Sequence, residues 1–133
     1  MNPLKSKIVY IVDDNPIWVN TLTEVLYNLG CSNIIAFTNG TDCINNLYQN
    51  PALVFLDYHL IDMDGIEVLQ TIKHYSSETA VVFFTDNNKM SVAVNAMKNG
   101  SFDYLIKSNI SNKGLLPVVK NIAEQIFMSA AIC

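Results

Sequence analysis

Five short apolar runs, each followed by a polar turn and a stretch with helical spacing, constrain this chain more than any other feature. The runs are Ile8–Val12, Asn33–Phe37, Ala52–Leu56, Ala80–Phe84 and Phe102–Ile106. The clearest of them are apolar throughout and lack the alternation of a strand with one wet face. They read as strands buried on both sides, as in a parallel sheet. Between and after them, apolar residues recur at three- and four-residue spacing. Trp18, Leu22, Val25, Leu26 and Leu29 mark one helix; Cys43, Ile44 and Leu47 mark a second, stopped by Asn50-Pro51. Ile66, Leu69 and Ile72 mark a third, Val92, Ala93, Ala96 and Met97 a fourth, and Leu115, Val119, Ile122 and Ile126 a fifth. Asn15-Pro16 supplies a cap and a proline at the first helical position. Gly30 and Gly100 suit helix ends, and Asp64-Gly65 reads as a turn and cap.

Strand and helix alternating five times is a (βα)5 pattern. Right-handed crossovers put helices on both faces of a parallel sheet. The expected fold is a doubly wound five-stranded α/β sheet of order 2-1-3-4-5, with ligands at the carboxyl ends of the strands. The 133 residues fit a single domain spanning 1–133, with a core from about 7 to 127. Pro117 conflicts with the fifth helix, because it lacks an N–H and crowds the preceding turn. That helix is expected to start regularly near Gly114 or to break there.

Composition narrows the function classes. The chain is 50% hydrophobic and 15% charged, which supports a packed core and argues against disorder. The net charge of −4 leaves no basic stripe for direct nucleic-acid binding. No apolar run approaches the roughly 20 residues that cross a bilayer, and no secretory signal pattern follows Met1. A soluble cytoplasmic domain is the expectation, without a membrane partner. Cys31, Cys43 and Cys133 show no metal-site or disulfide spacing and read as reduced thiols.

The polar residues at the strand ends carry the chemistry. Asp13 and Asp14 follow the first strand, Asp57 the third, Thr85 the fourth and Lys107 the fifth. The expected topology gathers all five at one sheet edge. Clustered carboxylates raise one another's pKa, and a hard divalent cation such as Mg²⁺ relieves the repulsion. Lysine and hydroxyl beside it suit the remaining oxygens of a phosphoryl group in transfer. Asp57, at the end of the central strand, is the expected carboxylate nucleophile.

This set resembles the response-regulator receiver family, the CheY-like group of flavodoxin-like folds. The resemblance covers Lys7 to Phe127. It is carried also by Ile11-Val12-Asp13-Asp14-Asn15, Leu56-Asp57, Met63-Asp64-Gly65 and Gly100 to Lys107. It implies a phosphoacceptor at Asp57. It implies Mg²⁺ held by Asp14, Asp57 and the backbone carbonyl of His59, with Asp13 binding directly or through water. It implies that Thr85 and Lys107 contact the phosphoryl group and that Tyr104 is a switch aromatic. The implied phosphodonor is a histidine kinase or phosphotransfer protein. The implied output is the face of the fourth helix, fifth strand and fifth helix, read by a downstream protein, a fused output domain or a phosphorylation-dependent dimer contact. The domain is then no enzyme toward outside substrates, although it assists its own phosphorylation and dephosphorylation. It stands alone or heads a longer transcriptional regulator; Lys107 to Lys113 resembles receivers that precede ATPase-type activators.

Three positions depart from the family pattern. Asp86 replaces a usually small residue, Ile61 a frequent proline, and Ser108 a proline in a cis peptide. A cis bond before a non-proline residue costs about 2.5–4 kcal/mol, so a trans Lys107–Ser108 bond and a shifted loop are expected. Asp86 keeps open a binding scaffold that has lost phosphorylation. A small Mg²⁺-dependent phosphatase would need a DxD motif after the first strand, which Asp13-Asp14 lacks. A flavodoxin-type nucleotide site would need a phosphate loop where Asp-Asp-Asn-Pro stands. His59 and His74 read as exposed side chains, His59 acting with Asn87 on water near the site. Trp18 reads as a helix-packing residue close to the acidic pair.

Overall fold

The sheet is parallel, with strand order β2-β1-β3-β4-β5. The computed structural model describes residues 6–128; Met1 to Lys5 and Cys133 lie outside the described residues. The strands are β1 (Ile8–Val12), β2 (Asn33–Phe37), β3 (Leu53–Leu56), β4 (Ala80–Thr85) and β5 (Asp103–Ile106). The helices are α1 (Pro16–Asn28), α2 (Gly40–Asn45), α3 (Gly65–Tyr75), α4 (Met90–Lys98) and α5 (Asn112–Ala123). The expected doubly wound fold and strand order are present.

Alternate strand residues feed two cores. Val9, Ile11, Leu53, Phe55, Val82 and Phe84 face α1 and α5, meeting Leu22, Leu26, Leu115 and Val119. Tyr10, Val12, Val54, Leu56, Val81 and Phe83 face α2, α3 and α4, meeting Cys43, Val68, Leu69, Ile72 and Ala96. Each fully buried Leu, Ile or Phe adds about 1.5–3 kcal/mol of transfer free energy. Tyr10, fully buried, satisfies its hydroxyl by donating to the Asn46 carbonyl at 2.6 Å.

Helix ends follow local chemistry. The Asn15 side chain accepts from the N–H groups of Ile17 and Trp18, capping α1. Gly30, at φ 90°, closes α1: its N–H meets the Tyr27 carbonyl at 2.9 Å, and that of Cys31 meets Leu26 at 2.9 Å. Gly100, at φ 99°, closes α4 in the same way.

Two helix expectations are corrected. α2 stops at Asn45, so Leu47 lies beyond it in a 3₁₀ turn (Leu47–Gln49) that ends at Asn50 in the left-handed region. α5 starts at Asn112, two residues before Gly114, and runs unbroken through Pro117. Pro117 and Lys113 are both exposed residues, so the Lys113 carbonyl that lacks the proline N–H lies on the solvent side of the helix rather than under the core. The Ser111 side chain accepts from Gly114 N–H and fixes the first turn. The chain between Lys107 and Ser108 is trans, with no cis peptide among the described residues, and the loop there is a 3₁₀ turn (Lys107–Asn109). Among the described residues no helix is long and apolar enough to cross a membrane.

Candidate functional site

Parallel register assembles the site. Val12 pairs with Leu56, so Asp13 and Asp57 leave adjacent strands side by side. Leu56 pairs with Phe83, which places Thr85 just beyond Asp57, and Thr85 pairs with Ile106, which delivers Lys107 to the same edge. Asp13, Asp14 and Asp57 each offer a carboxylate oxygen, and these oxygens lie within 4.8 Å of one another. Asp13 and Asp57 are buried, and Asp14 faces solvent.

Lys107 stands among them. Its Nζ donates to Asp13 Oδ2 at 2.6 Å and lies 3.9 Å from Asp57 Oδ2. The same ammonium sits 5.1 Å from the Trp18 ring centroid, whose face attracts it. Trp18 in turn packs on Phe84, with ring centroids 5.2 Å apart. Burial holds the Asp13 carboxyl above its usual range. The Lys107 ammonium and a hydrogen bond from Asn15 N–H oppose that shift, and the Asp57 charge adds to it. Three carboxyl groups thus stand beside a single ammonium. Their all-oxygen donor set, with no His or Cys among them, fits a hard divalent cation.

The remaining expected residues are arranged around this core. The His59 N–H points to Asp57 Oδ1 at 3.5 Å, and the His59 ring meets the Asn87 amide at 3.2 Å. Thr85 is fully buried, and its hydroxyl accepts from Asn87 N–H at 3.3 Å rather than bonding a carboxylate. Tyr104 lies half-buried on Phe83, with centroids 5.4 Å apart, and its hydroxyl donates to the Asn87 carbonyl at 2.7 Å. Burial first, then Tyr58 and the Asp57 charge, push its phenol up to about 12. Tyr104 thus ties β5 to the loop that follows Thr85. Asp86 is exposed, without a hydrogen bond or ion pair among the described residues, and lines a hollow of about 300 Å³ with Lys107, Trp18 and Asn15. Ile61 is 85% exposed.

Sequence reasoning missed Asp62. Its carboxylate accepts from the N–H groups of Gly40 and Thr41, both at 2.9 Å, and from the Thr41 hydroxyl. An acid in a polar loop carries no sequence signal for a partner 21 residues away. Only the approach of the β3–α3 loop to α2 reveals it.

A doubly wound sheet with three carboxylates and a lysine at its carboxyl edge defines the class: a small α/β domain with an acidic, cation-ready pocket at the switch point. Residues 9–119 match the response regulator receiver domain, and the chain belongs to that family. Luminescence regulatory protein LuxO of Vibrio campbellii is 39% identical over 69 residues, which are 51% of this chain and 15% of that protein. The chain thus spans less than half the length of LuxO and of the other relatives named by such matches. The BeF3-activated DrrB receiver domain is 28% identical with a TM-score of 0.77, covering 89% of this chain and 97% of that one. The Mn²⁺-bound form of the response regulator Rcp1 is 26% identical with a TM-score of 0.77, covering 89% and 92%. The protein is a receiver domain of two-component response regulators.

Proposed function

We propose that Asp57 accepts a phosphoryl group in a Mg²⁺-dependent step and that the change is read on the surface of α4, β5 and α5. The observation that carries this reading is the convergence of Asp13, Asp14 and Asp57 within 4.8 Å, with Lys107 3.9 Å from Asp57 Oδ2. A BeF3-activated relative and a Mn²⁺-bound one support it.

Asp13, Asp14, Asp57 and the His59 carbonyl would hold the cation. Mg²⁺ supplies charge neutralisation of the phosphoryl oxygens as the transfer proceeds. Asp57 uses a carboxylate oxygen to form the new P–O bond while the P–N bond of a donor phosphohistidine breaks. The leaving imidazole keeps the electron pair and takes up a proton. Lys107 neutralises a phosphoryl oxygen, as a mobile ammonium already shared between two carboxylates can do. Thr85 donates to another oxygen once its hydroxyl turns from Asn87 N–H. Because Tyr104 bonds the Asn87 carbonyl, a shift of Thr85 is passed to the Tyr104 hydroxyl and to β5. His59 and Asn87, in contact above the site, limit the approach of water to the acyl phosphate.

The phosphodonor is a histidine kinase or phosphotransfer protein, and the setting is cytoplasmic. The output is a protein partner, a fused output domain or a second copy. Incubation with Mg²⁺ and acetyl phosphate, followed by intact mass, tests the reading. The wild type gains one phosphoryl group, and Asp57→Asn gains none. No gain in the wild type while Mg²⁺ still binds refutes phosphorylation and leaves a binding scaffold. The exposed, unpartnered Asp86 at the mouth of the site favours that second reading, since it repels an anionic donor.

A further inference from the structure

The loop from Tyr58 to Asp64 connects β3 to α3 and carries His59. Its base is closed twice. Gly65 N–H donates to the Tyr58 carbonyl at 2.8 Å, and His59 and Asp64 form an antiparallel bridge. Its tip reaches a different part of the molecule. The first three N–H groups of α2 belong to Gly40, Thr41 and Asp42, and none has an intrahelical acceptor. The cap residue Asn39 takes only the Asp42 N–H, at 2.8 Å. Asp62 takes the other two, and the Thr41 hydroxyl as well. Contact is tight: a Cβ at Gly40 would lie 2.7 Å from both Met63 Cγ and Val68 Cγ2. The Thr41 hydroxyl first, then the Gly40 N–H, hold the Asp62 carboxyl down to about 2, so the tether stays ionised at neutral pH.

We propose that Asp62 is a positioning residue for the divalent-cation site. It fastens the loop tip to α2 and so keeps the His59 backbone in the conformation that cation binding uses. The inference rests on the cation-site reading above. The rival role is a cap for α2 alone, and the two roles separate cleanly. Asn39 caps the same helix through hydrogen bonds to Asp42, not to the loop, whereas Thr41 bonds Asp62 from the side of the helix.

Calorimetric titration of the 133-residue chain with Mg²⁺ tests this, alongside thermal denaturation by circular dichroism. Groups bonded directly to a metal ligand weaken binding by about 10-fold or more when lost; Asp62 acts one step further out, so a rise in Kd of up to about 10-fold is expected for Asp62→Ala. Thr41→Val gives a smaller rise in the same direction. The double variant is no weaker than Asp62→Ala, because both act through one tether. Asn39→Ala lowers Tm and leaves the Mg²⁺ Kd unchanged. The inference is overturned if Asp62→Ala and Thr41→Val lower Tm but bind Mg²⁺ as the wild type does. It is also overturned if Asn39→Ala weakens Mg²⁺ as much as Asp62→Ala. If Asp62→Ala does not fold, the contrast of Thr41→Val with Asn39→Ala decides. A wild type that binds no Mg²⁺ overturns the cation-site reading and this inference with it, whereas equal binding by all variants removes only the tether.

Discussion

Replacing Lys107 by methionine removes the only cation within reach of Asp13 and Asp57 among the described residues while keeping an unbranched apolar side chain of similar length. The Asp13 side chain is 2% exposed and that of Lys107 11%. Breaking a buried ion pair on one side costs about 3–5 kcal/mol. Asp13 keeps its hydrogen bond from Asn15 N–H at 2.9 Å, and Asp14 is open to water. The lower end, about 3 kcal/mol, is therefore expected at pH 8 in chelator. The penalty depends on pH with a definite sign. Burial already raises the Asp13 carboxyl in the folded chain, and Lys107 is the main group opposing it; without Lys107 it rises further. A carboxyl raised on folding destabilises the native state fully above its folded pKa, and the cost vanishes below the unfolded value of about 3.9. The gap between Lys107→Met and wild type therefore shrinks as pH falls from 8 to 4. Urea unfolding followed by far-UV circular dichroism at each pH measures it. Equal stability at pH 8, or a gap that stays constant with pH, would show that Lys107 does not compensate Asp13 electrostatically.

Gly65→Ala places a Cβ 2.6 Å from Phe83 Cε1, 2.8 Å from Tyr58 Cα and 2.9 Å from the Asp57 carbonyl oxygen. Two of these are backbone atoms, so overpacking of about 1–3 kcal/mol is expected in urea unfolding, together with weaker phosphorylation of the displaced Asp57. Tyr104→Phe removes the hydroxyl bond to Asn87 and costs about 1 kcal/mol; amide exchange in residues 86–89 accelerates. Since the Tyr104 phenol is raised to about 12, the wild type loses stability as pH climbs from 10 toward 12, and Tyr104→Phe loses less. Carbon-detected NMR of the Asp62 carboxyl is expected to give a midpoint near 2, and an ordinary carboxylate midpoint would refute the tether's effect on it. Because this pKa is depressed on folding, its stabilisation is complete above about pH 3.9 and disappears as pH falls through 2.

What was legible in the sequence depended on how local the cause is. β1 and β4 are buried on both faces, so burial alone writes a continuous apolar run, and their observed spans differ from expectation by at most one residue. β2 sits at an edge with half-exposed residues, yet Ile34 and Ile35 still mark it. α2 was misread as one helix through Leu47. Leu47 packs into the same core as Cys43 whether the chain between them is α or 3₁₀, and spacing registers burial rather than hydrogen-bond pattern. Pro117 was misjudged for the opposite reason. The cost of its missing N–H depends on whether the orphaned carbonyl meets water, which only the placement of α5 decides.

The chemical site was legible because parallel register converts order along the chain into proximity. Asp13, Asp57 and Lys107 directly follow β1, β3 and β5, Thr85 ends β4, and the strands end along one edge, so these four had no alternative place to go once the topology was right. The same logic explains why Asp62 stayed hidden and why the distance that joins His59 to Asn87 needed the structure. Asp62, His59 and Asn87 lie in loops, where neighbours are set by how two loops fold back rather than by the sheet. The His59–Asn87 contact spans 28 residues, and the Gly40–Asp62 bond spans 22. The residues at the sheet edge are thus placed by strand register, whereas Asp62 is placed by its bonds to Gly40 and Thr41 of α2, and His59 by its contact with Asn87.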